Sequence, residues 1–550
     1  MPRHYMQTDL EVVNVEEFGA VGDGTTDDTE SFNLAIQKIE ENGGGTLHVP
    51  MGTYLLRDAV HLTDNLKITS SGATLMKDGT SNSYYVFLAL SKRGKGYGAG
   101  ASNVIIEGLT IKGSFSAKRG ASITLHHSEN VHIRNCIFRE AVVSGHPIDL
   151  GGCSEVLISE CSFEGFTPQP NRRYVEAIQI DHSTAEGNGG IDHPDSYDGL
   201  ACRNVTVQNC KFVPLTIEGN TYPAPNPLGS HSRVDGFVFE NIKFINNYVE
   251  GGVDIGSLVE PYSYADGWLH FYHIHGLEIL GNIFINTTGN NARLLALYTL
   301  DTAIGLDELD NPNPPKVAYT PMPPKNVIFS RNTVIGFKHI DNARVIFLQG
   351  REVNSQRYYT ENIKITNNKF DSCYSVESTS ASGYNISADL VNANLASSVE
   401  IQGNHCTSIR RLLYATKSKK IAVRENDIIN GYYVPVSVGE SEDVVVDNNQ
   451  IDNYGGGIYM RNVTRVSVKG NTLRDENSAV KSNYPQAIAM NTVNRGIIKD
   501  NNITASSGTE LSYGINVYGT SNTGMVKDNI VTGFPTNVRI GPDTVGYTSS

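Results

Sequence analysis

Acidic side chains on neighbouring segments of the first half of the chain are the residues best suited to chemistry. Asp149 lies in HPIDLGGCS, and Glu176 and Asp181 lie in EAIQIDHST. Two carboxyl groups that flank a glycosidic bond can hydrolyse it, because one donates a proton and the other activates water or attacks the sugar. These three acids therefore indicate cleavage of a carbohydrate.

Strand alternation predicts that Asp149 and Asp181 share one outer face. If the Ile and Leu residues of PIDL and AIQI point inward, Asp149, Gln179 and Asp181 point outward. The two aspartates would lie on adjacent coils, displaced by two residues along the strand, so their Cα atoms would be about 8 Å apart. A carboxyl separation of about 6.5–9.5 Å leaves room for a water molecule and favours inversion.

Glu176 has the parity of an inward-facing residue, although it follows an insertion rich in Pro, Asn and Arg. An ionised glutamate inside the stack would be costly. We therefore expect a bend that brings Glu176 to the rim beside Asp181. Without that bend it would be a buried structural acid.

Histidine and aromatic residues concentrate in the same part of the chain, where His231 lies in GSHS and three more histidines follow in WLHFYHIHG. Aromatic faces and a few polar groups suit a sugar-binding cleft, although WLHFYHIHG could equally be one strongly apolar coil. The predicted substrate-binding residues are His146, Gln179, His182, Trp268, His270, Tyr272 and His273.

Metal ligation is not expected, because the HxxH here lacks the helix and glutamate of a zinc protease and no CxxC pair is present. Asp192, Asp195 and Asp198 could suggest calcium, but their spacing does not match an EF-hand. We expect neither a metal nor a cofactor.

The elements that must position these residues form a repeat. An apolar–x–apolar strand, a polar turn and a second apolar anchor recur from VIIEGLTI, near Val104, to GMVKDNIV, which ends at Val531. The residue two positions before the second apolar anchor is cysteine in the early units and asparagine from Asn282 onward. Some steps between these positions are 22 or 23 residues, which suits a solenoid coil of three short strands. The sequence predicts an all-β, single-stranded right-handed parallel β-helix with a ladder of stacked asparagines.

Cysteine is present seven times, and Cys136, Cys161 and Cys210 occupy the same repeat position. That placement favours a buried stack of small apolar side chains over disulfides or metal ligation.

The start of the chain, FGAVGDGTTDDT, precedes an amphipathic stretch from Thr29 to Glu41, with Asp27 or Asp28 as its N-cap. This start resembles the N-terminal cap of the pectate-lyase-like superfamily of right-handed β-helix proteins. The expected organisation is a cap segment with a short helix at residues 1–57 and a β-helix at 58–550. Inserted loops are expected near 164–203, 213–233 and 286–325.

An aspartate coil, a second acidic coil and a histidine coil follow one another, and this order resembles the polygalacturonase family. The resemblance implies that Asp149 and Asp181 are the acid and base and that His231 orients or tunes them. The expected activity is hydrolysis of an extracellular or cell-surface polysaccharide, with Glu176 as a third catalytic acid.

Two other functions stay open. A polysaccharide lyase would need a base for the proton next to a uronate and cations for the charge that forms. A viral tail spike or adhesin would bind glycan without cleaving it, and tail spikes of this superfamily are commonly homotrimers.

The formal charge of −14 would repel nucleic acid. The chain has no apolar run long enough to span a membrane, and its opening residues lack a signal peptide's apolar region. We expect no nucleic-acid partner, no membrane insertion, and a location outside the cell or on a virion.

Overall fold

The structure is a computed structural model that describes residues 11–80, 83, 85–92, 94–114, 120–142, 146–167, 176–251, 267–287, 293–337, 344–373, 389–431, 433–475, 486–506, 511–520, 523–542, 544 and 547–549. The chain forms two compact units, residues 1–278 with 301–320 and residues 279–300 with 321–550.

The first unit contains one α-helix, Thr29–Glu41, and two short 3-10 helices, Val15–Phe18 and Pro194–Ser196, within the described residues. Its strands are Val12–Asn14, Asp23–Asp27, Gly45–Val49, Thr53–Leu56, Val60–His61, Leu66–Ser70, Thr74–Lys77, Tyr85–Ala89, Ser102–Glu107, Thr110–Lys112, Ser122–His126, Glu129–Arg134, Ile137–Val142, Ile148–Gly151, Ser154–Ser159, Ser162–Thr167, Glu176–Asp181, Arg203–Gln208, Lys211–Val213, Leu215–Ile217, Asn220–Tyr222, Asn226–Gly229, Phe239–Ile245, Tyr248–Glu250, Gly267–Tyr272, Thr302–Ile304 and Lys316–Ala318.

The strand Ile274–Leu280 begins in the first unit and ends in the second. The second unit's other strands are Ile283–Ile285, Arg293–Tyr298, Lys325–Ser330, Thr333–Ile335, Arg344–Gln349, Arg351–Val353, Gln356–Tyr358, Thr360–Thr366, Lys369–Cys373, Asp389–Asn394, Ala396–Gln402, His405–Ile409, Arg411–Thr416, Lys419–Arg424, Asp427–Gly431, Val436–Gly439, Glu442–Asp447, Gln450–Tyr454, Ile458–Lys469, Thr472–Asp475, Gln486–Lys499, Asn502–Ala505, Tyr513–Tyr518, Gly524–Lys527, Ile530–Thr532, Thr536–Ile540 and Tyr547–Ser549.

The predicted all-β, right-handed parallel β-helix with an N-terminal helix is confirmed. In each unit, strands pair in parallel with strands one coil further along the chain. In the first unit, aliphatic side chains at equivalent positions form a continuous buried row: Ile123, Ile148, Ile178, Leu228 and Leu269. Burial of one aliphatic row per strand stabilises the coil and fixes its register, since a slip of one residue would expose the row.

The helix Thr29–Glu41 has the bounds that the sequence predicts. It buries Phe32, Ile36 and Ile39 against the first strands of the unit. Asp28 precedes the helix, but its side chain accepts hydrogen bonds from the backbone of Val21 and Gly22, at 2.7 and 3.2 Å, and does not cap the helix.

The predicted cysteine stack is confirmed, because all seven cysteines are buried and none forms a disulfide. The thiols of Cys136, Cys161 and Cys210 donate to backbone carbonyls of the preceding coil at 3.7 to 3.8 Å.

The asparagine ladder is confirmed in the second unit. Asn449 is representative: its Oδ1 accepts from the backbone N and the Nδ2 of Asn426, at 3.0 and 2.9 Å, and its Nδ2 donates to the carbonyl of Val423 at 2.9 Å. The ladder comprises Asn282, Asn332, Asn368, Asn404, Asn426, Asn449, Asn471, Asn501 and Asn529.

Candidate active site

Four adjacent strands of the first unit carry the candidate site: Ile148–Gly151, Glu176–Asp181, Asn226–Gly229 and Gly267–Tyr272. Their register places Asp149, Gln179, Gly229 and His270 in one row. A Cβ at position 229 would lie 2.2 Å from Cε1 of His270. Only glycine therefore leaves space for the imidazole in this row.

Asp149 and Asp181 have the register that strand alternation predicts. Asp149 pairs with Gln179, and Gly151 pairs with Asp181, so the two aspartates lie on adjacent strands, two residues out of step. Their Cα atoms are then separated by about 8 Å. Asp149 is partly exposed, whereas Asp181 is buried. Burial and the neighbouring charge of Asp181 raise the pKa of Asp149 well above its usual range, although His231 opposes this shift.

Asp181 holds the turn that contains His231. Its Oδ1 accepts hydrogen bonds from the backbone N of His231 at 3.2 Å and from the backbone N and Oγ of Ser232 at 3.0 and 2.8 Å. Its Oδ2 accepts from Nε2 of Gln179. Burial raises the pKa of Asp181, although His231 and Ser232 oppose this shift. Asp181 therefore positions the His231 backbone.

Glu176 is buried, with only 1% of its surface exposed. The expectation that it lies at the rim is therefore wrong. Its carboxylate is surrounded by imidazoles, with His231 Nε2 at 2.8 Å, His270 Nε2 at 3.4 Å and His146 Nδ1 at 3.8 Å. Burial raises the pKa of Glu176, but the charges of His231 and His270 outweigh burial and hold it well below its usual range. The three imidazoles make burial of an ionised carboxylate tolerable.

The side chain of His231 is 17% exposed, while the carboxylate of Glu176 that binds it is fully buried. A histidine that is held on one side by a buried carboxylate has a fixed ring orientation, which is the arrangement of a general base.

All seven predicted substrate-binding residues are buried, and the prediction that they present surface to a sugar is wrong. Trp268 is 1% exposed, and His182, His270 and His273 are 0% exposed. The ring of His182 packs edge-on against Phe239, and burial lowers the pKa of His182 to about 3. The alternative reading of WLHFYHIHG as an apolar coil is correct for Trp268.

The buried residues that lie at the site are His146, Gln179, His270 and Tyr272. The imidazole Nδ1 of His146 lies 2.7 Å from the backbone carbonyl oxygen of Glu176, at hydrogen-bond distance. Gln179 contacts Asp181, His270 contacts Glu176, and Tyr272 packs under the guanidinium of Arg233, 5.1 Å from the ring centre.

A second histidine cluster was not predicted from the sequence. His126 and His127 stack with ring centres 4.4 Å apart, and His127 Nε2 lies 2.9 Å from Asp198 Oδ1. His126 Nδ1 pairs with Asp192. Asp192 and Asp198, two of the three acids that could have suggested calcium, therefore tie the segment around the 3-10 helix Pro194–Ser196 to the β-helix. The sequence signal for this cluster was the pair of adjacent histidines, His126 and His127, together with the acidic segment DHPDSYD that pairs with them.

One Glu176 oxygen and one imidazole nitrogen each of His231 and His270 lie within 4.8 Å of one another. Two nitrogens and a carboxylate are ligand types that Zn²⁺ and Fe²⁺ accept. However, Glu176 Oε2 and His231 Nε2 are already at hydrogen-bond distance, 2.8 Å. The geometry therefore fits a direct ion pair better than a metal between these atoms.

Two family profiles match the chain. Residues 12–222 match the family described as rhamnogalacturonase A/epimerase, pectate lyase-like, and residues 325–533 match the right handed beta helix region. The chain is thus a right-handed parallel β-helix protein, and its residues 12–222 are similar to a pectate-lyase-like family.

Among individual proteins, the plasmin and fibronectin-binding protein A of Streptococcus pneumoniae is 26% identical over 264 residues, which cover 43% of this chain and 36% of that protein. The pre-neck appendage protein of Bacillus phage B103 is 27% identical over 218 residues, which cover 36% of this chain and 22% of that protein. The chain therefore spans little more than a third of the first relative's length and about a fifth of the second's.

The solved structure of the S. pneumoniae surface protein and adhesin PfbA has a TM-score of 0.57 and 20% sequence identity, and it covers 82% of this chain and 100% of that one. This likeness supports the fold. The described residues contain no helix with the length and apolar character needed to span a bilayer.

Proposed function

We propose that the chain cleaves a polysaccharide by general acid–base catalysis, as a glycoside hydrolase. The observation that carries the proposal is the pair of partly exposed groups, Asp149 and His231, each backed by a buried carboxyl group, Asp181 and Glu176 respectively. Catalytic groups must reach the substrate, whereas buried charges set their protonation and orientation.

Asp149 is the proton donor. Its raised pKa keeps the carboxyl group protonated to higher pH than an ordinary aspartate, so that it can protonate the leaving oxygen of a glycosidic bond. The role of Asp181 is to raise that pKa and to position the turn of His231.

His231 is the base: its neutral form takes the proton from water, and the imidazolium that results is the cation paired with Glu176. Glu176 holds its Nε2 at 2.8 Å and is itself ionised, because its pKa lies well below the usual range. A buried carboxylate that orients an imidazole and stabilises its protonated form is the logic of catalytic triads.

A second candidate function is binding without cleavage. It is favoured by the similarity to a plasmin and fibronectin-binding protein and to a phage appendage protein. These relatives also support a location outside the cell or on a virion and, for the phage-like case, a homotrimer. Light scattering of the purified chain tests the trimer, and a monomer at all concentrations would exclude it.

The activity is tested by incubating the chain with a panel of neutral and uronate-containing polysaccharides and following reducing ends, chain length and ultraviolet absorbance together. Hydrolysis releases reducing ends without the unsaturated, ultraviolet-absorbing product of a lyase. The matched control is the double variant Asp149→Asn/His231→Asn. Reducing ends that appear with the wild-type chain alone support hydrolysis. Absorbing products indicate a lyase, and bound but uncut glycan supports the adhesin function.

A further inference from the structure

The second unit contains a polar cavity of about 190 Å³ on the outer face of three successive strands, Arg411–Thr416, Val436–Gly439 and Ile458–Lys469. The register pairs Tyr414 with Ser437 and Ser437 with Tyr459. The neighbours of each of these three residues along its strand are buried, whereas the three themselves are partly exposed. Alternation therefore directs all three side chains outward, into the cavity that they line.

Tyr414 and Tyr459 form the two walls of this cavity. They lie two strands apart, about 9.6 Å, with the small Ser437 between them. Tyrosine combines a rigid apolar ring with a polar hydroxyl, which suits contact with the C–H face and the hydroxyls of a sugar.

A buried cation lies at the same cavity. Arg411 is 8% exposed, stands over the rings of Tyr414 and Tyr433 at 4.8 and 5.1 Å, and pairs with Asp389 at 3.6 Å. The nitrogen that faces Asp389 is Nε, which lies just beyond hydrogen-bond distance of Asp389 Oδ1. The positive charge of Arg411 is therefore only loosely paired, and a ligand carboxylate beside it would be stabilised.

A second cation, Arg461, lines the cavity from the following coil and is exposed. Within the part of the chain that the structure describes, no hydrogen bond or ion pair uses its guanidinium. Arginine binds carboxylates through two parallel N–H groups. The cavity therefore combines aromatic walls with two guanidinium groups, and Glu440 on its edge can accept hydrogen bonds from hydroxyls.

We propose that this cavity binds a single sugar ring that carries a carboxylate. Tyr414 and Tyr459 contact the ring, and Arg411 and Arg461 bind the carboxylate. The volume is below the usual range of about 300–1,000 Å³ for ligand pockets, which suits one ring and not an oligosaccharide. The residues of this site and those of the proposed catalytic site belong to different units, so each proposal can fail without the other.

The test is saturation-transfer NMR and calorimetry with three acidic sugars, D-galacturonate, D-glucuronate and N-acetylneuraminate, and with neutral galactose and glucose. The protein is the full chain carrying Asp149→Asn, so that cleavage cannot interfere. At least one acidic sugar is expected to bind at millimolar concentration, and the neutral sugars at least tenfold more weakly. Tyr459→Ala and Arg461→Gln should each weaken binding about tenfold, which is about 1.4 kcal/mol.

The matched control is a second tyrosine–arginine pair on the outer face of the same unit, in which Arg539 stands 5.3 Å over the ring of Tyr513. Tyr513→Ala and Arg539→Gln should leave binding unchanged. The proposal is overturned if no acidic sugar binds, if neutral sugars bind equally well, or if Tyr459→Ala and Arg461→Gln bind like the parent chain. If the wild-type chain cleaves none of the polysaccharides while the Asp149→Asn chain still binds an acidic sugar, the hydrolase is rejected and this site is retained.

Discussion

Asp149 and Asp181 lie on adjacent strands, two residues out of step. Burial raises the pKa of Asp149, and the negative charge of Asp181 raises it further. In the proposed mechanism this relationship lets Asp181 tune the proton donor, Asp149, without touching the substrate.

Substitution Asp181→Asn removes the charge that raises the pKa of Asp149. Asp149 should then lose its proton at lower pH, and the alkaline limb of the kcat/KM profile should move to lower pH. Asparagine can still accept the hydrogen bonds from His231 and Ser232 through its Oδ1. The measurement is the pH–rate profile, with Asp195→Asn on the exposed loop as control. An unmoved alkaline limb would show that Asp181 does not tune the donor.

Substitution Glu176→Gln keeps the size of the side chain but removes the charge that faces His231, His270 and His146. We expect kcat to fall by roughly 10²–10⁴-fold, because His231 loses the anion that orients and stabilises it. In a double-mutant cycle, adding His231→Asn should cost little more, since the two residues act as a unit. Additive losses would contradict a shared role. The exposed His193→Asn variant is the control and should retain activity.

The fold could be predicted from the sequence because its signal repeats. A single turn register holds asparagine from Asn282 to Asn529, and each of these residues bonds to its neighbours along the ladder. The prediction that asparagine occupies this register only from Asn282 onward is wrong by one coil. Asn247 already has ladder bonding: it accepts from the backbone N of Cys210 at 2.8 Å and donates to the carbonyl of Val207 at 3.0 Å. The apolar pattern FENIKF directly before it offered a competing alignment.

The site was only partly predictable. Alternation along two strands was sufficient to align Asp149 and Asp181. It could not identify which residues of Gly267–Tyr272 face a ligand, because all six are buried on both sides of the strand. Nor could it reveal that His231 meets Glu176, because the contact joins residues 55 positions apart across an insertion.

The pairs that anchor the loop at Asp192 and Asp198 predict an acid-sensitive segment. Burial raises the pKa of Asp192, but the hydrogen bonds from His126 and Ser91 hold it below the usual range, and burial lowers the pKa of His126. Both groups thus contribute stability that is lost as pH falls, below about 6.5 for the histidine and about 3.9 for the aspartate.

Substitution Asp192→Ala leaves His126 buried without its carboxylate and should destabilise the loop by about 1–3 kcal/mol. Hydrogen exchange of peptides from the 3-10 helix Pro194–Ser196 and its flanks measures this loss. Asp195→Ala, whose side chain is 94% exposed, is the control and should exchange at the wild-type rate. Equal exchange in Asp192→Ala would show that the pair does not anchor the loop.

Substitution Asn449→Ala removes one rung of the ladder. The backbone N of Asn426 and the carbonyl of Val423 then lose their hydrogen-bond partner. We expect the free energy of local unfolding to fall by about 2 kcal/mol. Hydrogen exchange in the strands Glu442–Asp447 and Gln450–Tyr454 should then be roughly 30-fold faster. Asn448→Gly is the matched control, because Asn448 is exposed and has a φ of 55°, which glycine adopts freely. Similar exchange in both variants would contradict a structural role for the ladder.

The most direct test of the proposed mechanism is kcat and KM of Asp149→Asn beside the wild-type chain, on a polysaccharide that the wild-type chain cleaves. Loss of the proton donor should lower kcat by about 10²–10⁴-fold and leave KM within a few-fold, since the asparagine amide keeps the shape of the site. Turnover at the wild-type rate would contradict Asp149 as the proton donor and, with it, the acid–base site on this face of the β-helix.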